Sequence, residues 1–288
     1  MKRLFNRITI IGVGLIGGSV GLAVKERRIA REVTGVFRRK ATLNKALKCK
    51  AVDSATLSVE DGVGDADLII LAAPVHSIPV LAAQAIKYAK AGAIITDVGS
   101  TKAWITSNIE DMIGSYKAVS FVGSHPMAGS EHAGVKFAKA DLLNGAPCIV
   151  TRTGRTDRNS LNKVTKFWKS LGARVTVMSP SSHDETAALI SHMPHIVAFG
   201  LAGATPQGKM RYAAEGFKDT TRVASSDPDL WADIFLTNQK QIISSARIFE
   251  KYYRAILKAI ARGDYAGTVK LLKRAKDKRD RFTYAKDA

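Results

Sequence analysis

Three short segments gather polar and ionisable residues within apolar surroundings: Asp97-Val98-Gly99-Ser100-Thr101-Lys102, Ser124-His125-Pro126-Met127-Ala128-Gly129-Ser130-Glu131, and Gly216-Phe217-Lys218-Asp219-Thr220-Thr221-Arg222. The first two each follow a predicted strand, and in an open α/β sheet ligands bind beyond the carboxyl ends of the strands. A histidine there, with an unperturbed pKa of about 6.5, can take a hydroxyl proton while a hydride leaves the same carbon. His125 is accordingly the candidate base of a dehydrogenation.

A hydride needs an acceptor, and the N-terminal segment offers a place for one. Gly12, Gly14 and Gly17 form Gly-x-Gly-x-x-Gly directly after the β-branched run Ile8-Thr9-Ile10-Ile11 and before a predicted helix. The first glycine permits a tight turn, the second lets backbone approach a pyrophosphate, and the third lets helix and strand pack closely, with the pyrophosphate on the helix N-terminus. Leu15 and Ile16 within the motif, Ala73 and Pro74 at the end of a later strand, and Ser100 are assigned to the same cofactor site. An Asp or Glu about 20 residues beyond the glycines would bind the ribose of NAD. Here the second strand, Val33-Thr34-Gly35-Val36-Phe37, runs into Arg38-Arg39-Lys40 instead. Two guanidiniums suit a 2′-phosphate and can stack on adenine, which favours NADP and leaves NAD possible. The alternative is a solvated basic loop.

These groups must be carried by alternating strands and helices. Short apolar strands are predicted at 32–37, 66–73, 93–98 and 119–123, with helices at 78–89 and 101–113 between them. A further alternation places a strand around 147–151, a helix from Asp157 to Leu171 with Asp157 as N-cap, and a strand at 174–178. Pro180-Ser181 marks the boundary. Beyond it the pattern is helical, with a capping box at Ser182-x-x-Glu185 and an N-cap followed by proline at Asp227-Pro228. The expected fold is an α/β N-terminal Rossmann-type dinucleotide-binding domain over residues 1–179, followed by an all-α domain over 180–288. The apolar periodicity between Asp229 and Ile260 indicates buried helices.

The chain of 288 residues has 44 Lys and Arg against 25 Asp and Glu, a formal net charge of +19, with 46% hydrophobic residues. That composition is globular and excludes a disordered basic tail. Residues 1–50 carry 13 basic and 2 acidic side chains and residues 251–288 carry 12 and 4. Such an excess points to polyanions or to small anionic ligands. No RNA-binding motif with interleaved aromatics accompanies it, so nucleic acid ranks below a small-molecule ligand. Cys49 and Cys148 are too few for a disulfide framework, which fits a reducing, cytoplasmic compartment. Lys2, Arg3 and Arg7 before an uncharged run imitate a secretory signal, but the glycine spacing accounts for that run better. No other segment shows about 18 continuous apolar residues, so no membrane partner is expected. His192 and His195 lie three apart, yet no third ligand has recognisable spacing, and no metal is assigned. Pro194 between them would kink a helix. His76, His132 and His183 are read as surface or packing residues.

Taken together in this order, Gly-Val-Gly-Leu-Ile-Gly-Gly-Ser, Asp-Val-Gly-Ser-Thr-Lys, Gly-Ser-His-Pro-Met-Ala-Gly-Ser-Glu, Ser-His-Met-Pro-His, Gly-Phe-Lys-Asp-Thr-Thr-Arg and Ser-Asp-Pro-Asp-Leu-Trp resemble the prephenate/arogenate dehydrogenase family of tyrosine biosynthesis, over residues 8 to about 250. The resemblance implies oxidative decarboxylation of a hydroxycyclohexadiene, with hydride passing to NADP or NAD. It implies that His125 accepts or polarises the hydroxyl proton, that Ser100 bonds in the same cluster, and that Arg222 clamps a substrate carboxylate. Asp219 and Glu131 would orient Arg222 through an ionic network, His195 would bind substrate, and Trp231 would form a wall or prop. The alternatives are that Trp231 is simple core and that Asp219 only caps or pairs locally. A homodimer through the helical half is expected by fold-level analogy. Two alternatives remain at this point: another β-hydroxyacid or imine oxidoreductase, and a nucleic-acid-binding or redox-sensing protein on a dinucleotide fold.

Overall fold

The computed structural model describes residues 3–114, 118–129 and 133–281. Its first half is built on β1 (Phe5–Ile11), α1 (Leu15–Glu26), β2 (Ala30–Val36), α2 (Lys40–Lys48), β3 (Ser54–Thr56), α3 (Val59–Val63), β4 (Leu68–Leu71), α4 (Ser77–Tyr88), β5 (Ile94–Asp97), α5 (Ala103–Ile113) and β6 (Ser120–Val122). The six strands pair in parallel in the order β3-β2-β1-β4-β5-β6. This is the doubly wound arrangement expected, with helices covering both faces. Every residue of β4 is buried, as suits a central strand packed on two sides. One core layer joins Ile8, Ile10, Val20 and Leu68 to Phe167 and Trp168. The opposite layer joins Ile69, Leu71, Ile78, Ile95 and Ile105.

A second, three-stranded sheet follows, made of β7 (Ser124–Pro126), β8 (Pro147–Thr151) and β9 (Arg174–Met178), with α6 (Arg158–Ser170) between the last two. β7 runs antiparallel to β8, and β8 parallel to β9. Asp157 caps α6 by accepting the Ser160 N–H at 2.7 Å, as its position before the helix predicts.

The helical half comprises α7 (Pro180–Ala187), a π-helical turn (Ala188–His192), α8 (Met193–Ala204), α9 (Gln207–Met210), α10 (Glu215–Thr221), a 3-10 turn (Arg222–Ser225), α11 (Pro228–Thr237), α12 (Gln239–Ala261) and α13 (Tyr265–Asp280). Asp227 caps α11, accepting from Asp229 N and Leu230 N, with Pro228 at the first helical position. The expected box at Ser182 is not the cap: α7 starts three residues earlier, where Ser179 accepts the Ser182 N–H at 3.1 Å. Pro194 stands at the second position of α8, directly after the π-helical turn. It has no N–H to give the preceding turn, and the hydrogen-bond register opens there into the π turn, carrying the run onward from α7 to α8.

That run, Pro180–Ala204, is long and apolar enough by length and composition to cross a membrane, its most apolar 18-residue window having mean hydropathy 1.4. Serines and histidines interrupt the stretch, so the sequence shows no continuous apolar run there. Two of its polar residues, His183 and Asp184, are nonetheless buried against the sheet domain. Trp231 and Ile234 of α11 likewise join the core layer beneath the sheet, so the two halves share packing.

Candidate active site

The sheet order reverses between β1 and β4, and the glycine turn and the Ala73-Pro74 segment flank that point. Gly12 has φ +93°, and a Cβ on it would stand 2.3 Å from the Ala72 carbonyl oxygen. A Cβ on Gly17 would lie 2.2 Å from the Gly12 carbonyl oxygen and crowd Ile10 and Ala72. Gly14 differs, with nothing within 4 Å of its ideal Cβ position. That open space lies at the start of α1, where no side chain caps the N-terminus and no acid occupies the first turn. Unsatisfied N–H groups and the positive end of the helix dipole face it, a cradle suited to a pyrophosphate. Leu15, Ile16 and Ala73 are half-buried around it, and Pro74 is exposed. Arg38 and Arg39 stand exposed just past β2, Arg39 as the N-cap residue of α2. These residues are the ones that would hold a dinucleotide.

The chemistry-bearing segments converge at the carboxyl edge of β5 and β6. Asp97, the last residue of β5, is buried. Its carboxylate accepts from Gly99 N at 2.8 Å, from Ser124 N at 3.0 Å and from the Lys102 ammonium. Lys102 is itself fully buried and also donates to the Ser124 carbonyl at 2.9 Å. Trp168 Nε1 donates to Ser124 Oγ at 3.0 Å. The start of β7 is thereby fixed from three sides, and it presents His125, only 8% exposed. Ser100 is half-buried three residues beyond β5.

His125 Nδ1 meets His183 Nε2 at 2.8 Å, and His183 Nδ1 meets Asp184 Oδ1 at 2.8 Å. Asp184 reaches across from α7 to accept the N–H groups of Lys102 at 2.7 Å and Ala103 at 2.9 Å, which caps α5. Its carbonyl accepts from Asn238 Nδ2 at 2.8 Å. His183, read as a surface or packing residue, is fully buried between the candidate base and a carboxylate. Burial, the His183 ring and the Lys102 charge hold the His125 pKa well below its ordinary value, so the ring is neutral near neutral pH. Burial lowers His183 too.

The helical half supplies the opposite wall. His195 Nδ1 donates to the Ser191 carbonyl at 2.9 Å, and its ring stacks on Trp231 with centroids 3.4 Å apart and planes at 24°. Burial depresses its pKa, and the nearby Arg222 guanidinium adds to the depression. His192 is buried against the edge of Trp231, beside Asn238 at 3.2 Å, with its pKa pushed down to about 4 chiefly by desolvation. Trp231 is 8% exposed, joins the core layer beneath the sheet and carries the His195 ring stacked on it. Arg222 is exposed at the end of α10, and Asp219 is exposed one turn before it. Glu131, with Ser130 and His132, lies outside the described residues. His76, read as a surface or packing residue, pairs with Asp233 at 2.7 Å and tilts against Trp104, joining the two halves at a second place. Lys102, His183, Asp184, His192 and Asn238 are the members that sequence reasoning did not assign.

A dinucleotide cradle at the switch point, with a buried neutral histidine at the adjoining strand edge, defines a nicotinamide-dependent oxidoreductase. Residues 20–177 match the family model for the nucleotide-binding domain of prephenate dehydrogenase, and residues 179–274 match the model for its dimerization domain. The chain belongs to the prephenate dehydrogenase family. It is similar to prephenate dehydrogenase of Bacillus subtilis (strain 168), 35% identical over 97% of this chain and 77% of that protein. Among solved structures it resembles prephenate dehydrogenase from A. aeolicus in complex with hydroxyphenyl propionate and NAD+, at TM-score 0.88 and 32% identity, covering 95% of this chain and 97% of that one. It also resembles Synechocystis arogenate dehydrogenase, at TM-score 0.82 and 27% identity, covering 96% and 100%.

Proposed function

We propose that this protein oxidatively decarboxylates prephenate or arogenate, prefers NADP as hydride acceptor, and acts as a homodimer. The observation that carries the reaction is His125, neutral and buried at the edge of the sheet domain and facing the helical half. The nicotinamide, when bound, accepts the hydride. His125 takes the hydroxyl proton as the carbinol carbon loses that hydride, so the carbon becomes a carbonyl-like centre conjugated with the ring. The ring carboxylate then leaves as CO₂, its bonding electrons enter the ring, and aromatisation drives the step. Ser100 hydrogen-bonds beside His125. Arg222, an exposed guanidinium near His195, binds a substrate carboxylate, and His195 on its Trp231 platform binds the ring substituents. Asp219 and Glu131 orient Arg222.

NADP preference is supported by Arg38 and Arg39 where a ribose-binding acid would otherwise stand. Dimer formation is supported by the apolar surface of the helical half, where Leu236 is 68%, Ile248 63% and Ile260 58% exposed. The family model's description of this half as a dimerization domain agrees. A cytoplasmic setting accords with two free cysteines. The deciding experiment is a four-way kinetic comparison, prephenate and arogenate each with NAD and NADP. Reduced nicotinamide is expected with at least one substrate, faster with NADP. Absence of turnover with both substrates would overturn the reading.

A further inference from the structure

We infer that His183 and Asp184 are positioning residues: the chain Asp184–His183–His125 fixes the ring tautomer of His125, so that Nε2 offers a lone pair to the substrate hydroxyl, and it disperses the charge that forms when the proton arrives. This rests on His125 being the base of the proposed reaction, and it assigns work to two residues beyond that reading.

The direction of each hydrogen bond follows from groups that can only donate. The backbone N–H groups of Lys102 and Ala103 donate to the two oxygens of Asp184, at 2.7 and 2.9 Å. Both oxygens are therefore acceptors, and α5 directs the positive end of its dipole at them. His183 Nδ1, at 2.8 Å from Oδ1, must be the donor. A neutral imidazole carries one N–H, so His183 Nε2 is an acceptor. Its partner at 2.8 Å, His125 Nδ1, must then donate. The same count applied to His125 leaves its Nε2 unprotonated, the state a general base requires.

The surroundings keep both rings neutral before reaction. Facing the His125–His183 pair are Asp184 of α7, Lys102 ahead of α5, Asp97 at the end of β5, His192 of the π turn and Cys148 of β8. Desolvation raises the Cys148 thiol pKa and lowers those of His125, His183 and His192, so the first proton of the chain is Nδ1–H on each ring of the relay. When His125 Nε2 receives the hydroxyl proton, its Nδ1 proton can move to His183 Nε2. His125 returns to a neutral ring, and the positive charge resides on His183 against the Asp184 carboxylate. One proton enters and one shifts, so the count balances without a further reactant. A base held at low pKa by burial would otherwise have to carry a buried, uncompensated charge.

The test uses the full-length protein labelled with ¹⁵N-histidine, in which six histidines give few resonances. His125 signals are assigned by their loss in His125→Asn. In the unsubstituted protein near neutral pH, His125 is expected to show a protonated Nδ1 and a pyridine-type Nε2. His183→Phe removes the acceptor, so the His125 ring should lose this preference, with kcat falling about 100-fold and both KM values moving less than about threefold. His183→Gln restores an acceptor oxygen at the Nε2 position. It should recover the tautomer and bring kcat to within about tenfold of the original, as rescue of position without charge dispersal.

Nε2 protonated in the unsubstituted protein overturns the proposal. So does a slow His183→Phe whose His125 tautomer is unchanged, since that loss would be structural. So does a His183→Phe with turnover intact. If neither prephenate nor arogenate is oxidised, the proposed reaction fails, while the tautomer spectra still decide the relay. The spectra of the unsubstituted protein suffice should His183→Phe not fold.

Discussion

At the scale of single residues, the site divides by who touches substrate and who holds the toucher. His125→Asn keeps a polar group in place but removes the base, and turnover should fall by about 10²- to 10⁴-fold while NADP affinity changes less than about twofold. Isothermal titration beside steady-state kinetics reads both quantities. Arg222→Gln should raise KM and lower kcat together, by about tenfold in kcat/KM or more, because a carboxylate loses a charge-assisted partner. Since Arg222 is exposed, its attraction is screened, and KM of the unsubstituted enzyme should also climb with salt. His125 was legible as a candidate because it sits in a short polar segment after a strand, and Ser100 and Arg222 were legible as candidates through the family resemblance. His183 and Asp184 were not. Their roles come from partners 58 and about 80 residues away, and a His-Asp pair near the start of a helix looks like ordinary capping chemistry.

At the scale of elements, the glycine turn separates folding from binding. Gly17→Ala drives a Cβ into the Gly12 carbonyl and should cost about 1–3 kcal/mol of stability by overpacking, seen as a lower Tm without any ligand. Gly14→Ala meets only open space, so Tm should stay within about a degree while dinucleotide affinity drops about tenfold or more. Equal effects of the two substitutions on Tm would contradict this account of the cradle. β1, β2, β4, β5 and β6 were readable from apolar runs, and α6 and α11 from their capping residues. β3 was not, because Ser54-Ala55-Thr56 is a three-residue edge strand without an apolar run. The box at Ser182 matched a pattern that chance supplies in a Ser-rich stretch, whereas Ser179, just ahead of Pro180, makes the actual cap.

At the scale of the whole molecule, four histidines resist protonation in the folded state. Burial lowers His125, His183, His192 and His195, the third from 6.5 to about 4. Between pH 6.5 and 4 the unfolded chain binds protons that the folded one refuses, so stability is full above pH 6.5 and is lost as pH falls. Tm measured across that window should decline steadily, and His192→Gln should flatten part of the slope. A Tm independent of pH over the same range would sink the idea. The net charge of +19, which first pointed to polyanions, would equally attract small anions to the protein. The long helix α13 has no buried residue and carries Lys278 and Arg279 in its last turn.

Asp184 belongs to the helical half, yet it finishes a helix of the sheet half and orients the base there. Exchange of segments between relatives is constrained as a result. A chimera that takes its first 179 residues from this chain and the rest from a relative lacking a carboxylate at this place would inherit an intact cradle and a misdirected His125. Such a hybrid should bind dinucleotide normally and turn over slowly, and a single restored aspartate should repair it.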